Sequence, residues 1–444
     1  MKRLILILPV LILCASLNAQ KFTGLAKTPP MGWNSWNKFH CDVSEELIMK
    51  MADAMVASGM KDAGYEYIII DDCWQVSRDE NGEIVVDPQR FPHGMKYLAD
   101  YIHSKGLKFG IYSSAGTVTC QRRPGSRGYE FQDARTYARW GVDYLKYDWC
   151  GSSTQNARAS YTLMRDALYK AGRPIVFSIC EWGSNNPWEW GAEVGHLWRT
   201  TGDISDNWNS MISIFERQKD LARYAGPDGW NDPDMLEVGN GGMTNEEYKT
   251  HFSLWCMLAA PLIAGNDLST MTPETKAILM NKEMIAVNQD TLGFQATCYR
   301  DDYGYQIWVK PLANNEKAVC LLNRSDEKKI VLVNFEELAR IRTMTRRFRP
   351  PTASPTSGGF PGAGAVTPGA AAGGAQRTGA PSQPATAAQA APPAGFGGQR
   401  PPQLTLADYR IRDLWEHKDL TLKETSVYIE LPPHSVKVYR FVRK

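Results

Sequence analysis

Between about residues 28 and 268, short apolar runs recur along the chain, each ending in polar or acidic residues and followed by a helical pattern. The runs are Met31 to Trp36, Tyr67 to Ile70, Lys108 to Tyr112, Tyr144 to Tyr147, Ile175 to Cys180, Leu197 to Thr201, Trp230 to Met235 and Leu262 to Ala264, and successive ends lie 21 to 42 residues apart. That spacing accommodates a strand, a helix and their loops. Eight such units predict an α/β fold, a (β/α)8 TIM barrel, whose chemistry sits at the C-terminal ends of the strands. Acids and aromatics cluster at those ends: Asp71-Asp72 with Trp74, Asp148 with Trp149, Glu181 with Trp182, and Asp203. An open doubly wound sheet would want a Gly-rich phosphate turn after the first strand, and none is present.

From about residue 293 the pattern changes to alternating strands, Tyr305 to Val309, Ala318 to Leu322, Lys329 to Val333, Val427 to Leu431 and Val436 to Phe441. They predict a C-terminal antiparallel β-sandwich. The expected organisation is a signal peptide over 1–19, a catalytic barrel over 20–292 and a sandwich over 293–444. The sandwich is interrupted at about 350–402, where residues 351–400 hold 11 Gly, 8 Pro and 14 Ala and no acid occurs between Glu337 and Asp408. So little apolar side chain cannot offset ordering entropy, and the segment reads as a disordered insertion.

The N-terminus adds a location. Lys2 and Arg3 precede an apolar stretch from Leu4 to Ala15 and a small-residue site at Leu17-Asn18-Ala19, the pattern of a secretory signal. The stretch is too short to span a bilayer, so the mature chain is expected to be periplasmic or extracellular with no membrane span. Net charge is +2, and removing Lys2 and Arg3 leaves zero, so no field recruits nucleic acid. Eight of the nine cysteines follow the signal and meet an oxidising compartment. None has the spacing of a zinc site, and neither a metal nor any other cofactor is expected. Fourteen Trp and nineteen Tyr are more rings than a core needs, and such rings stack on the apolar face of a sugar.

The candidate chemistry lies in three strand ends. Lys146 and Asp148 share one face by period-two alternation, so the ammonium is expected to keep the carboxylate ionised as a nucleophile, against the alternative of a buried core ion pair. Arg199 and Asp203 repeat the arrangement. Two carboxylates about 5 Å apart across the mouth are the geometry of a retaining glycosidase, one of them raised in pKa as proton donor. Asp203 could instead cap the next helix, a job that Asp206 suits better. The adjacent acids Asp71 and Asp72 suit vicinal hydroxyls, and no DxDxDG spacing supports calcium. Trp33 and Trp36 are stacking candidates, with core packing the stronger alternative for Trp33.

Taken in order, Thr28-Pro29-Pro30-Met31-Gly32-Trp33-Asn34-Ser35-Trp36, Asp71-Asp72-Cys73-Trp74, Lys146-Tyr147-Asp148, Cys180-Glu181-Trp182, Arg199 with Asp203, and Trp230-Asn231-Asp232-Pro233-Asp234-Met235 resemble glycoside hydrolase family 27 over about residues 27–292. Its best-known members are α-galactosidases (melibiases). The resemblance implies a retaining exo-α-galactosidase acting on terminal α-D-galactosyl residues of oligo- or polysaccharides. In it Asp148 is the nucleophile and Asp203 the acid, then base. It further implies a galactose pocket of Trp36, Asp71, Asp72, Tyr112, Lys146, Cys180, Trp182, Arg199 and Met235, and disulfides Cys41–Cys73 and Cys120–Cys150. Asp71 and Asp72 would hold O4 and O6, Lys146 would reach O3 and O4, and Arg199 with the Cys180–Trp182 loop would border O2. This chain has Gly195 where animal members carry a second cysteine, which leaves Cys180 a free thiol, and the Trp182–Pro187 loop is plant- and microbe-like. Sister activities are α-N-acetylgalactosaminidase, which must house an acetamido group against Trp182, and β-L-arabinopyranosidase, whose ring lacks C6 and would not need both Asp71 and Asp72. A non-catalytic carbohydrate-binding protein would be expected to lose one of the two carboxylates.

Overall fold

The computed structural model describes residues 21–302, 304–341 and 404–444. The expected signal peptide and the Gly/Pro/Ala-rich insertion lie outside the described residues.

Strands β1 (Met31–Asn34), β2 (Tyr67–Ile69), β3 (Lys108–Ser114), β4 (Tyr144–Asp148), β5 (Val176–Cys180), β6 (Leu197–Arg199), β7 (Trp230–Asp232) and β8 (Leu262–Ala264) form one parallel sheet in the order 8-1-2-3-4-5-6-7. The ring closes between β7 and β8 through Leu236, whose N–H donates to the Ile263 carbonyl at 2.8 Å while the Gly265 N–H donates to the Leu236 carbonyl at 3.0 Å. Closure falls beyond β7 because Asp234 takes a φ of 89° and breaks the strand that the apolar run predicts through Met235. Helices α1 (Glu45–Ala57), α2 (Gly94–Ser104), α3 (Glu130–Trp140), α4 (Ala157–Ala171), α5 (Pro187–Val194), α6 (Trp208–Glu216) and α7 (Asn245–Leu258) follow β1 to β7 in turn, and α8 (Pro273–Leu279) and α9 (Lys282–Asn288) follow β8.

Alternation along each strand sorts the side chains. Tyr67, Ile69, Tyr144, Val176, Leu197, Trp230 and Ile263 fill the barrel interior, while Ile68, Phe109, Ile111, Leu145, Tyr147, Phe177 and Trp198 pack outward against the helices. Burial on both faces explains why these strands read as near-continuous apolar runs. The same parity that sends Tyr144 into the floor raises Lys146 and then Asp148 towards the mouth, with Asp148 in register with Ser114 of β3 and Cys180 of β5. The loops after β3 and β4 touch closely: a Cβ on Gly116 would lie 2.1 Å from the Cys150 carbonyl oxygen, so only glycine fits there.

The C-terminal part has β9 (Thr297–Asp302), β10 (Tyr305–Leu312), β11 (Glu316–Asn323), β12 (Lys329–Asn334), β13 (Tyr409–Asp413), β14 (Lys418–Asp419), β15 (Ser426–Leu431) and β16 (Val436–Arg443). A six-stranded antiparallel sheet, 9-10-11-16-13-14, faces the pair 12-15, and Val319, Leu321, Val331, Val333, Tyr439 and Phe441 fill the space between. On its other face, Trp308, Cys320, Leu322 and Val438 join the core that runs under the barrel helices.

Candidate active site

A cavity of about 430 Å³ opens at the C-terminal ends of the barrel strands. Its wall includes Trp36, Asp71, Asp72, Tyr112, Lys146, Asp148, Arg199, Asp203 and Met235, so both candidate catalytic carboxylates face one space. Asp148 ends β4. Its Oδ2 accepts from the Tyr112 hydroxyl at 3.0 Å and its Oδ1 from the Trp149 N–H at 2.9 Å. The disulfide Cys120–Cys150, with Cα atoms 5.0 Å apart, ties the β3 and β4 loops together beside it.

The acids after β2 form a turn held by its own side chains. Asp71 Oδ1 accepts the Asp72 N–H at 2.9 Å and Asp72 Oδ1 accepts the Cys73 N–H at 2.7 Å, and Cys73, at φ 80°, is bonded to Cys41. Asp71 Oδ2 receives both Asn34 Nδ2 and Lys146 Nζ at 2.8 Å, and Asp72 Oδ2 receives the Gln121 N–H at 2.9 Å. Both disulfides expected from the family resemblance therefore form, each bracing a loop at the mouth, and Cys180, Cys256, Cys298 and Cys320 are free thiols.

The opposite wall comes from β6 and β7. Arg199 donates from Nη2 to Asp203 Oδ1 at 2.9 Å, and its Nη1 lies 3.0 Å from Asp234 Oδ1. The Arg199 and Asp234 side chains are almost fully buried, whereas that of Asp203 is 65% exposed at the mouth. Ordered donors converging on carboxylates around a half-buried tryptophan make a site for a polyhydroxylated ring, with two acids placed to exchange protons with it.

Several expectations change. Lys146 pairs with Asp71, not with Asp148. Burial consequently dominates at Asp148 and pushes its carboxyl up to about 6, despite the opposing Lys146 charge. At Asp203 the cavity walls desolvate the carboxyl and act upward even though much of the side chain is exposed, but Arg199 and then Lys146 outweigh that and hold it below the usual range, so the raised member of the pair is the nucleophile candidate. Asp203 caps no helix, and neither does Asp206. Asn207 caps α6, accepting the Ser210 N–H at 2.9 Å, and Asp206 is engaged instead by the Tyr248 hydroxyl at 2.9 Å. Trp33 is core, fully buried with Nε1 donating to the Asn266 carbonyl at 2.7 Å. The cavity wall includes neither Cys180 nor Trp182. Cys180 sits behind Arg199, its sulfur 3.6 Å from Nη1, and half-buried Trp182 occupies a turn at φ 58°.

Asp234, which the sequence presents only as part of the Trp230–Met235 run and without a role, also lines the cavity, as do Glu237 and Asn37, which no sequence pattern singles out. Glu237 accepts from Asn37 Nδ2 at 2.6 Å and Asn240 Nδ2 at 2.5 Å, and burial pushes it up to about 7. The signal for Asp234 was an acid one residue before Met235 at a strand end, the same placement as Asp148. Among the described residues, one cluster has metal-ligand spacing, Cys120, Asp148 and Cys150. Its two sulfurs are bonded to each other and offer no thiolate.

A family model described as Alpha galactosidase A matches residues 28–290. A second, the alpha galactosidase C-terminal beta sandwich domain, matches 302–348 and 386–441, passing over the part of the insertion between them. Alpha-galactosidase A of Cellvibrio japonicus is 58% identical over 328 residues, 71% of this chain and 81% of that one. The α-galactosidase of Oryza sativa subsp. japonica is 51% identical over 317 residues, 71% of this chain and 76% of its own. Among solved structures, α-galactosidase I from Mortierella vinacea superposes with a TM-score of 0.78 at 36% identity, covering 95% of this chain and 98% of its own. The α-galactosidase of Saccharomyces cerevisiae with raffinose gives 0.75 at 29% identity, covering 96% and 100%.

Proposed function

The chain belongs to glycoside hydrolase family 27 and is an α-galactosidase, and from that premise we propose that it removes terminal α-D-galactosyl residues from oligo- or polysaccharides, one at a time and with retention. The observation that carries this reading is the shared cavity: Asp148 at the end of β4 and Asp203 in the loop after β6 line one space of about 430 Å³. Asp148 attacks C1 from the β face as the glycosidic C–O bond breaks, and the Asp203 proton passes to the departing oxygen. Asp203, now a carboxylate, takes a proton from water. That water's oxygen attacks C1, the ester bond to Asp148 breaks, and α-galactose leaves with both carboxyls restored. Asp71 and Asp72 grip O4 and O6 from one side and Lys146 reaches O3 and O4. Trp36 stacks on the ring, Tyr112 orients the nucleophile, and Arg199 and Met235 border the opposite wall, with Cys180 and Trp182 in the layer behind O2. The whole cycle uses protein carboxylates and water, with no cofactor.

The signal pattern over residues 1–19 and the two disulfides support export to the periplasm or beyond; among the described residues no helix is long and apolar enough to cross a membrane. We assign residues 20–292 to the catalytic barrel and 293–444 to the sandwich with its insertion at about 350–402. A rate comparison of the nitrophenyl glycosides of α-galactose, α-N-acetylgalactosamine and β-L-arabinopyranose tests the substrate. The α-galactoside is expected to lead in kcat/KM by more than tenfold. A lead by either of the others overturns the assignment to galactose, and turnover of none of them would leave only a binding protein.

The two acids also set a pH dependence. The productive form carries one proton, on Asp203 and not on Asp148. The one-proton form of such a pair is populated between its two pKa values. Those values are about 6 for buried Asp148 and, for Arg199-bound Asp203, below the usual carboxylate range. For an unactivated galactoside, kcat/KM is therefore expected to fall tenfold per pH unit above about 6, as the last proton leaves the pair. A dinitrophenyl galactoside, which needs ionised Asp148 but no acid, is expected to hold its rate there. A profile flat to pH 8 for the unactivated substrate contradicts the assignment.

A further inference from the structure

We infer that Asp234 is a positioning residue for the acid. It occupies one arm of the Arg199 guanidinium and holds the backbone next to Asp203, so the Asp203 carboxyl stays aimed at the cavity and free to carry a proton. The inference rests on the proposed role of Asp203 as acid.

The geometry is specific. A buried guanidinium needs anionic partners, and a single carboxylate gripping both its arms would be locked in the ionised state. Here the arms are divided. Nη2 goes to Asp203 at 2.9 Å and Nη1 to Asp234 at 3.0 Å. The second oxygen of Asp234 accepts the Ile204 N–H at 2.8 Å, so the residue that neutralises Arg199 also tethers the main chain beside Asp203.

The other groups around this fork are Lys146 and Asp148 from β4, the Cys180 thiol from β5, Asp232 from β7 and, from the loop beyond it, Glu237, which faces Asp234. Burial pushes Asp232 up to about 6, and burial likewise raises Asp234 against the pull of Arg199. The turn that presents Asp234 is over-determined. Its φ of 89° is one that side-chain-bearing residues rarely adopt. Its N–H donates to Asp232 Oδ1 at 2.9 Å and its carbonyl accepts Trp255 Nε1 at 2.8 Å. A strained, buried acid held on three sides and aimed at the acid's own partner is better placed to tune that partner than to bind a sugar hydroxyl.

The test is Asp234→Asn, which keeps the shape and, through its one amide oxygen, the Ile204 hydrogen bond, and removes the charge and the acceptor that face Arg199. With the guanidinium no longer shared, Asp203 holds its proton less well. The kcat/KM of a galactosyl disaccharide is expected to fall about tenfold across the acid plateau, with the acid limb moving about one unit lower. The rate on dinitrophenyl galactoside, which needs no acid, is expected to fall several-fold less. Asp234→Glu, which keeps the charge, is expected to restore the acid limb. If the asparagine variant does not fold, the glutamate variant carries the test through the same two-substrate ratio, wild-type in value if the inference holds. Equal losses on both substrates, or an unmoved acid limb, overturn it. Asp203→Ala run alongside separates the failures: if that variant shows no leaving-group dependence the acid assignment itself falls, and if it does while Asp234→Asn does not, only the role of Asp234 falls.

Discussion

Asp148→Ala is expected to lower turnover of every galactoside by about 10⁴-fold or more, because removing a nucleophile leaves only positioning and electrostatic residues. The variant should remain folded. The Asp148 side chain accepts hydrogen bonds from the Tyr112 hydroxyl and the Trp149 N–H, its backbone bonds survive the substitution, and the disulfide Cys120–Cys150 holds the neighbouring loops without it. Its absence vacates the β side of the anomeric carbon. Azide entering that space attacks an activated α-galactoside directly, and one displacement yields β-galactosyl azide. A variant with wild-type rates, or one that azide converts to the α anomer, is incompatible with Asp148 as nucleophile.

Asp203→Ala is expected to behave differently, and the difference identifies it. General acid catalysis contributes about 10²–10⁴-fold when the leaving group is a sugar alkoxide, and almost nothing when it is dinitrophenolate. The kcat/KM of the disaccharide should therefore collapse while that of the dinitrophenyl galactoside, which reports only the first step, is largely kept. With no base to activate water, the galactosyl ester on Asp148 accumulates and a burst precedes the steady state. Azide, which needs no base, should accelerate the slow second step and give α-galactosyl azide by two inversions. Exposure of Asp203 at the mouth places it where the leaving group departs, and the same exposure keeps the fold insensitive to its loss. A uniform loss across leaving groups would assign Asp203 to binding.

Much of this is legible in the amino-acid sequence. The eight apolar runs are strands because both faces of a parallel sheet are buried, and runs of that kind survive in a single sequence. The acids at their ends needed only alternation to be placed inside. What the chain order concealed was pairing. Lys146 stands two residues from Asp148 in sequence, yet the ring brings it 2.8 Å from Asp71, 75 residues earlier. Asp234 lies 35 residues beyond Arg199 in the sequence and becomes its partner only through the turn at φ 89°, which no periodicity records. The same turn shortens β7 and moves barrel closure to Leu236. Asp206 suits a cap by sequence because it stands one residue from the actual cap, Asn207, while the Tyr248 hydroxyl that engages it comes from α7. The inverted ordering of the two carboxyl groups has the same origin: burial and the Arg199 fork are tertiary facts.

The most direct measurement is to trap the intermediate. A 5-fluoro-α-galactosyl fluoride forms the ester quickly, through its good leaving group, and releases it slowly, because fluorine destabilises the cationic transition states of both steps. Mass analysis of the digested enzyme is expected to find one fluorogalactosyl group, on the peptide carrying Asp148 and on that side chain. A label on Asp203, or a fully active enzyme that never acquires a label and releases β-galactose first, would contradict double displacement through Asp148.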